Sequence, residues 1–213
     1  MSADFIDHPL VLVPGLWFGR PAMWPLALAL RRRGARVRLF SYPSRRLDLA
    51  REVARLAAFC GGAGLVNLVG YSLGGLLVAQ FCREFPARYR YAVTLGTPFQ
   101  GSEAARVASG FAVGRVLLGS AAPVLTTGYP SPAPPRFGII IGTRPGGLLR
   151  RRAYQGDGVV AVEEARLPGA TDALALPLSH IGLVHASRSV EGIEAFLNQG
   201  RFRGSRRGFY GRT

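Results

Sequence analysis

Gly70-Tyr71-Ser72-Leu73-Gly74 is the segment whose residue types and spacing most directly suggest chemistry. A serine with glycine two places away on each side suits a sharp, strained turn from strand to helix, which lifts the hydroxyl clear of a sheet. The five-residue match is weak by itself, and a Gly-rich turn with a serine helix cap would read the same way. Its surroundings strengthen it. Residues 65–69 form an apolar run that reads as a strand, and residues 73–85, closed by Pro86, read as an apolar and therefore buried helix. Side chains at positions 70 or 74 would collide with the neighbouring strand or helix, and Gly75 adds further room. Ser72 is accordingly the candidate nucleophile.

A nucleophilic serine needs a base, a carboxylate to orient that base, and two N–H donors for the developing oxyanion. The chain offers three histidines, His8, His180 and His185. His8 precedes the first strand and belongs to the wrong end of a sheet. His180 follows an apolar run at 173–176 and lies in a loop able to reach Ser72, so it is favoured over His185, which is nearer the final helix. Asp157, between two glycines in Gln155-Gly156-Asp157-Gly158, is the favoured acid, although an ordinary Asp-Gly turn would look similar. Asp172 is the alternative, but it falls at the start of its strand. The backbone N–H of Leu73 opens a helix and is one oxyanion donor. Leu16, after the Pro14-Gly15 turn, is the other.

These residues need elements to hold them. Strand-like runs at 9–13, 36–40, 65–69, 91–95, 136–141 and 173–176 alternate with helical patterns at 22–33, 47–60, 73–85 and 187–197. The pattern predicts an α/β fold with a mostly parallel sheet and helices on both faces. Gly34 suits the end of the first helix, and Ser187 or Ser189 the N-cap of the last. Residues 102–135 break the rhythm. They hold an Ala/Val/Leu-rich helical stretch and then a loop with Pro123, Pro130, Pro132, Pro134 and Pro135, read as an insertion over the carboxyl edge of the sheet. A single domain over 1–200 is expected, with a basic, flexible tail at 201–213.

Composition narrows the function classes. Of 213 residues 48% are hydrophobic and 18% charged, a globular balance. The net charge of +15 comes from 27 arginines and no lysine. Without lysine there is no Schiff base, no P-loop lysine and no Ser-Lys dyad. The arginines are scattered apart from 31–33, 150–152 and the tail, whereas a nucleic-acid binder concentrates them on one face. No nucleic-acid partner is expected; weak association with an anionic membrane surface is left open. Cys60 and Cys82 lie in apolar helical patterns and read as buried free thiols. No metal site and no cofactor is expected. No apolar run reaches the roughly 18 residues of a membrane span, and no secretory leader is evident, so a cytoplasmic location is expected.

Five segments in order, Val-Leu-Val-Pro-Gly-Leu-Trp (11–17), Gly-Tyr-Ser-Leu-Gly-Gly (70–75), Leu-Gly-Thr-Pro-Phe-Gln-Gly-Ser (95–102), Gly-Asp-Gly-Val-Val (156–160) and Ser-His-Ile-Gly-Leu (179–183), resemble the α/β-hydrolase-fold lipases and esterases, in particular the small bacterial kind. The resemblance spans residues 10–197. It implies a Ser72, Asp157, His180 triad, Leu16 and Leu73 as backbone donors, and Thr97-Pro98 near the site. It implies hydrolysis of a small acyl ester or lipid through an acyl-enzyme. Thioesterase, amidase or acyltransferase chemistry on the same residues, or a non-catalytic binding protein on the same scaffold, are the alternatives. Trp17, Phe18, Tyr71, Phe99 and the 102–135 segment are expected to line an apolar acyl pocket. Such lipases usually carry His-Gly where this chain has Pro14-Gly15, and often His where it has Phe99, which suggests a more apolar entrance.

Overall fold

The computed structural model describes residues 7–17, 19–62, 64–130, 132–145 and 155–203. Six strands, β1 (Leu10–Val13), β2 (Val37–Leu39), β3 (Val66–Tyr71), β4 (Tyr89–Leu95), β5 (Phe137–Gly142) and β6 (Asp172–Leu176), form one sheet in the order β2-β1-β3-β4-β5-β6. Every neighbouring pair is parallel, so the sheet is wholly rather than mostly parallel. The chain runs outward from β1 to β2, then returns past β1 to β3. The strand order therefore reverses between β1 and β3, and a crevice opens beyond their carboxyl ends.

Side chains of a strand alternate between faces, and each face here is covered by helices. Val11, Val13, Val66 and Leu68 pack with α2 (Leu49–Cys60) and α3 (Leu73–Glu84), as in Val53, Leu56, Leu76 and Phe81. Leu10, Leu12, Val69 and Tyr71 pack on the other face with α1 (Trp24–Arg32) and the final helix, through Leu26, Leu30, Ile193 and Phe196. Each such fully buried aliphatic or aromatic side chain contributes about 1.5–3 kcal/mol. Asp48 caps α2 by accepting from Arg51 N at 3.1 Å. Cys60 and Cys82 are free and buried.

Three features differ from the sequence expectations. Residues 102–135 hold three short helices, α4 (Glu103–Ser109), α5 (Ala112–Leu118) and α6 (Ala122–Thr127), so helix continues past the expected start of the Pro-rich loop. Pro123 sits in the first turn of α6, where its missing N–H costs nothing. The final helix, α7 (Ser187–Gln199), starts from Ala186 with no side-chain cap, and the amides of Ser189 and Val190 donate to the Ala186 carbonyl at 3.1 and 3.4 Å. The first residues after Gly200 are anchored. Phe202 is buried against Phe196, and its N–H donates to Asp172 Oδ2 at 2.7 Å. The rest of the tail, 204–213, and the Arg150–Arg152 cluster lie outside the described residues. No helix among the described residues is long and apolar enough to cross a membrane.

Candidate active site

β3 runs two residues further than its apolar stretch suggests, through Gly70 and Tyr71, and delivers Ser72 at the turn into α3. Ser72 has φ 53° and ψ −123°, a conformation that L-residues rarely adopt and that costs about 1–3 kcal/mol. The turn is held on three sides. Ser72 N donates to Leu95 O at 2.9 Å, Gly75 N to Ser72 O at 2.9 Å, and Thr97 Oγ1 to Ser72 O at 3.1 Å. The glycines permit this crowding. A Cβ at Gly70 would lie 2.6 Å from Gly75 Cα, and one at Gly74 would lie 2.4 Å from the carbonyl oxygens of Val13 and Pro14.

That contact brings the turn after β1 against the serine, where a Cβ on Gly15 would stand 3.0 Å from Ser72 Cβ. Tyr42 donates its hydroxyl to Pro14 O at 2.8 Å and fixes this turn. Trp17 N is committed to Ser44 Oγ at 3.1 Å. Leu16 faces the cavity described below, and Leu73 begins α3.

Asp157 and His180 come from loops beyond β5 and β6. Asp157 Oδ2 meets His180 Nδ1 at 2.6 Å, and both residues are buried. Asp157 Oδ1 accepts from Val159 N at 2.9 Å and Val160 N at 2.7 Å. The carboxylate thus shapes its own turn with one oxygen and holds the imidazole with the other, so the turn-forming and ring-orienting readings of Asp157 both apply. His180 N also donates to Asp157 O at 2.9 Å. With Nδ1–H given to the carboxylate, the ring presents the lone pair of Nε2. Two glycines leave space for the pair. A Cβ on Gly96, at the end of β4, would sit 2.8 Å from Asp157 Oδ2 and 3.0 Å from His180 Nδ1, and one on Gly142 would sit 2.6 Å from Asp157 Cβ. His185 is exposed, His8 precedes β1, and Asp172 at the start of β6 accepts from Ala173 N and Phe202 N.

Ser72 and His180 open into one cavity of about 280 Å³ with an almost wholly apolar lining. Leu16, Trp17 and Pro98 form one side, Ala104, Ala105, Ala108, Leu118 and Leu125 of the 102–127 helices another, and Val159, Val160 and Ile181 the rest. A larger depression of about 440 Å³ lies between the end of α1 and α7, around Arg33, Leu174 and Glu194; Arg33 is paired with Glu194 there, and no nucleophile lines it.

Three of the expected pocket residues fall elsewhere or outside. Phe99 is fully buried against Tyr129 and Phe137, so it belongs to the core rather than to the entrance. Tyr71 lies under the imidazole, ring centroids 4.9 Å apart, and donates its hydroxyl to His180 O at 3.2 Å. Burial, with the Asp157 carboxylate adding to it, pushes the Tyr71 hydroxyl well above the ordinary phenol range. Phe18 lies outside the described residues. Sequence reasoning missed Gly96, Gly142 and Glu164. The last is a nearly buried carboxylate that accepts from Ala161 N at 2.8 Å and Glu103 N at 2.6 Å and ties the acid loop to α4. Its adjacency to Glu163 hid it as a surface pair, whereas the glycines at strand ends were a readable signal.

A serine at a strained turn, an imidazole oriented by a buried carboxylate, and an apolar pocket can together support acyl transfer. Among the described residues no group of three or more His, Cys, Asp or Glu side chains could hold a metal ion. Residues 10–202 match the sequence model of a family described as the alpha/beta hydrolase family. The chain is similar to the mature form of a lipase from Bacillus licheniformis, at 21% identity over 91% of this chain and 93% of that one, with a TM-score of 0.70. It is similar to a hydrolase from Pseudomonas aeruginosa, at 19% identity over 90% of each chain, TM-score 0.62. A pyrethroid hydrolase from Sphingobium faniae shares 15% identity over 90% of this chain and 98% of its own, TM-score 0.64. At these identities the likeness is one of fold. No curated protein matches the chain in sequence.

Proposed function

The chain belongs to the alpha/beta hydrolase family, and on that premise we propose that it is a serine hydrolase cleaving carboxylic esters through an acyl-enzyme. One observation carries the reading: His180, held at Nδ1 by the 2.6 Å bond to Asp157, lines the same cavity as Ser72, with Nε2 outside that bond. Nε2 takes the Ser72 proton as Oγ bonds to the acyl carbon. The carbonyl becomes an oxyanion held by the N–H groups of Leu16 and Leu73, each worth about 3–4 kcal/mol to the barrier. The Asp157 carboxylate stabilises the imidazolium. The tetrahedral species collapses, the ester C–O bond breaks, and Nε2 returns its proton to the leaving alcohol. Water then repeats the sequence on the acyl-enzyme and releases the acid. The apolar walls favour a hydrocarbon acyl group, since they offer it burial without unpaired polar atoms.

The test is labelling by a fluorophosphonate probe of the wild type beside Ser72→Ala and His180→Ala. Labelling that both variants lose supports the mechanism. A folded wild type that takes no label overturns it in favour of a binding protein on this scaffold. A panel of ester, thioester and amide substrates with one acyl group then decides between hydrolysis of esters and the related chemistries, and an added alcohol or amine reveals acyl transfer.

A further inference from the structure

The large apolar side chains that the fold leaves in water are concentrated beside the cavity mouth. Phe111, Val113, Val116 and Leu117, on and just before α5, are between 46% and 72% exposed, and Val107 on α4 is 54% exposed. Trp17 joins them from the opposite wall, with its Nε1 donating to Leu117 O at 2.8 Å. Isolated exposed apolar residues are ordinary, but a contiguous patch marks an interaction surface. This one is continuous with the site: Ala108 and Leu118, next in sequence to Val107 and Leu117, line the Ser72 cavity.

The charges around the patch say what covers it. The sequence has no acidic residue from 104 to 156 and none from 8 to 47, so α5 and the segments carrying Trp17 and Arg45 have arginines as their charged residues, while α4 opens with Glu103. Three are fastened to it. Arg45 donates to Val116 O at 3.0 Å, Arg115 to Ser109 O at 3.2 Å, and Arg106 to Thr126 O at 3.1 Å. Arg106 is ion-paired with Glu103 and lies 4.0 Å from Glu164, so Arg45 and Arg115 are the charges this face offers to phosphates. A second copy seated on this face by a two-fold axis would set these guanidinium groups against their own images. An anionic bilayer instead satisfies both features, receiving the apolar side chains among its acyl chains and the arginines among its phosphates.

We propose that α5, with Val107 and Trp17, docks this protein on anionic lipid bilayers and turns the mouth of the Ser72 cavity toward the membrane. The docking surface needs neither Ser72 nor His180. Only the further step, that a lipid ester enters from the bilayer, rests on the hydrolase reading above.

The test is co-sedimentation of the full-length wild type and a Val113→Ser/Val116→Ser variant with vesicles of phosphatidylglycerol or of phosphatidylcholine. Both substitutions are at exposed positions outside the cavity and leave the charge unchanged. The wild type is expected to bind phosphatidylglycerol vesicles and to leave phosphatidylcholine vesicles unbound. The variant is expected to bind roughly tenfold or more weakly. It should retain wild-type hydrolysis of a short, soluble ester, which shows that it is folded. Equal binding by wild type and variant would overturn the proposal and assign adhesion to charge elsewhere on the chain. So would failure of the wild type to bind, or a wild-type dimer that the variant abolishes. A wild type that docks but takes no fluorophosphonate label would sink the hydrolase reading and leave the docking surface standing.

Discussion

Gly96→Ala is the most informative single substitution for the catalytic reading. Gly96 follows β4 with φ +54°, and a methyl there would sit 2.8 Å from Asp157 Oδ2, 3.0 Å from His180 Nδ1 and 2.9 Å from Leu183 Cδ1. Ordinary contact for such a carbon begins near 3.4 Å, so the carboxylate and imidazole must retreat by about half an ångström. They share a 2.6 Å bond, and the added methyl reaches both of its atoms. A misplacement of about 1 Å in a catalytic group costs on the order of 10²-fold, so half of that predicts about a tenfold fall in kcat. The left-handed backbone adds about 1–2 kcal/mol of lost stability. Gly62→Ala separates the two effects, because Gly62 has φ +75° with nothing within 4 Å of its added Cβ. The assay is kcat on a soluble p-nitrophenyl ester together with thermal unfolding of both variants. The expected result is similar destabilisation in both and loss of kcat in Gly96→Ala alone. Unchanged kcat in Gly96→Ala, or an equal loss in Gly62→Ala, would refute the reasoning.

Asp157→Asn keeps an oxygen for Val159 N and Val160 N but faces His180 Nδ1 with the wrong partner, and kcat is expected to fall by about 10⁴ with the fold retained; a loss smaller than tenfold on the same ester would remove Asp157 from the mechanism. Ala108→Leu fills part of the apolar cavity, so the ratio of kcat/KM for a long-chain ester to that for an acetyl ester should drop several-fold, and a constant ratio would show that α4 does not bound the acyl group. Burial pushes the Cys60 thiol up to about 11 despite Arg38 and Arg88, and also raises Cys82, Tyr42, Tyr71 and Tyr89. These groups ionise in the unfolded chain from about pH 8.5 for the thiols and 10 for the phenols, but later in the folded one. Their stabilising contribution is therefore complete below about pH 8.5 and is lost as pH rises toward 11. Urea midpoints measured across that range should fall, and a flat or rising profile would contradict the burial of these groups.

The local alternation of apolar runs with helical spacing was enough to indicate parallel strands with helices on both faces, since that pattern reflects burial of each element and needs no long-range information. Gly-Tyr-Ser-Leu-Gly was legible for the same reason: strand, turn and helix are contiguous in sequence, and their steric demands fall on neighbouring residues. Asp157 and His180 could be chosen by their place after strands. Their 2.6 Å meeting, 23 residues apart, depends on β5 and β6 lying side by side and on the room left by Gly96 and Gly142. Aromatic residues misled for a related reason. Tyr71 and Phe99 lie within the motifs, but tertiary packing sets one beneath the imidazole and the other in the core. Chain proximity thus determined the serine and its turn, while the Asp157–His180 contact, the cavity walls and the apolar face beside them were decided by tertiary packing, because those contacts join segments whose separation in sequence carries no local signal.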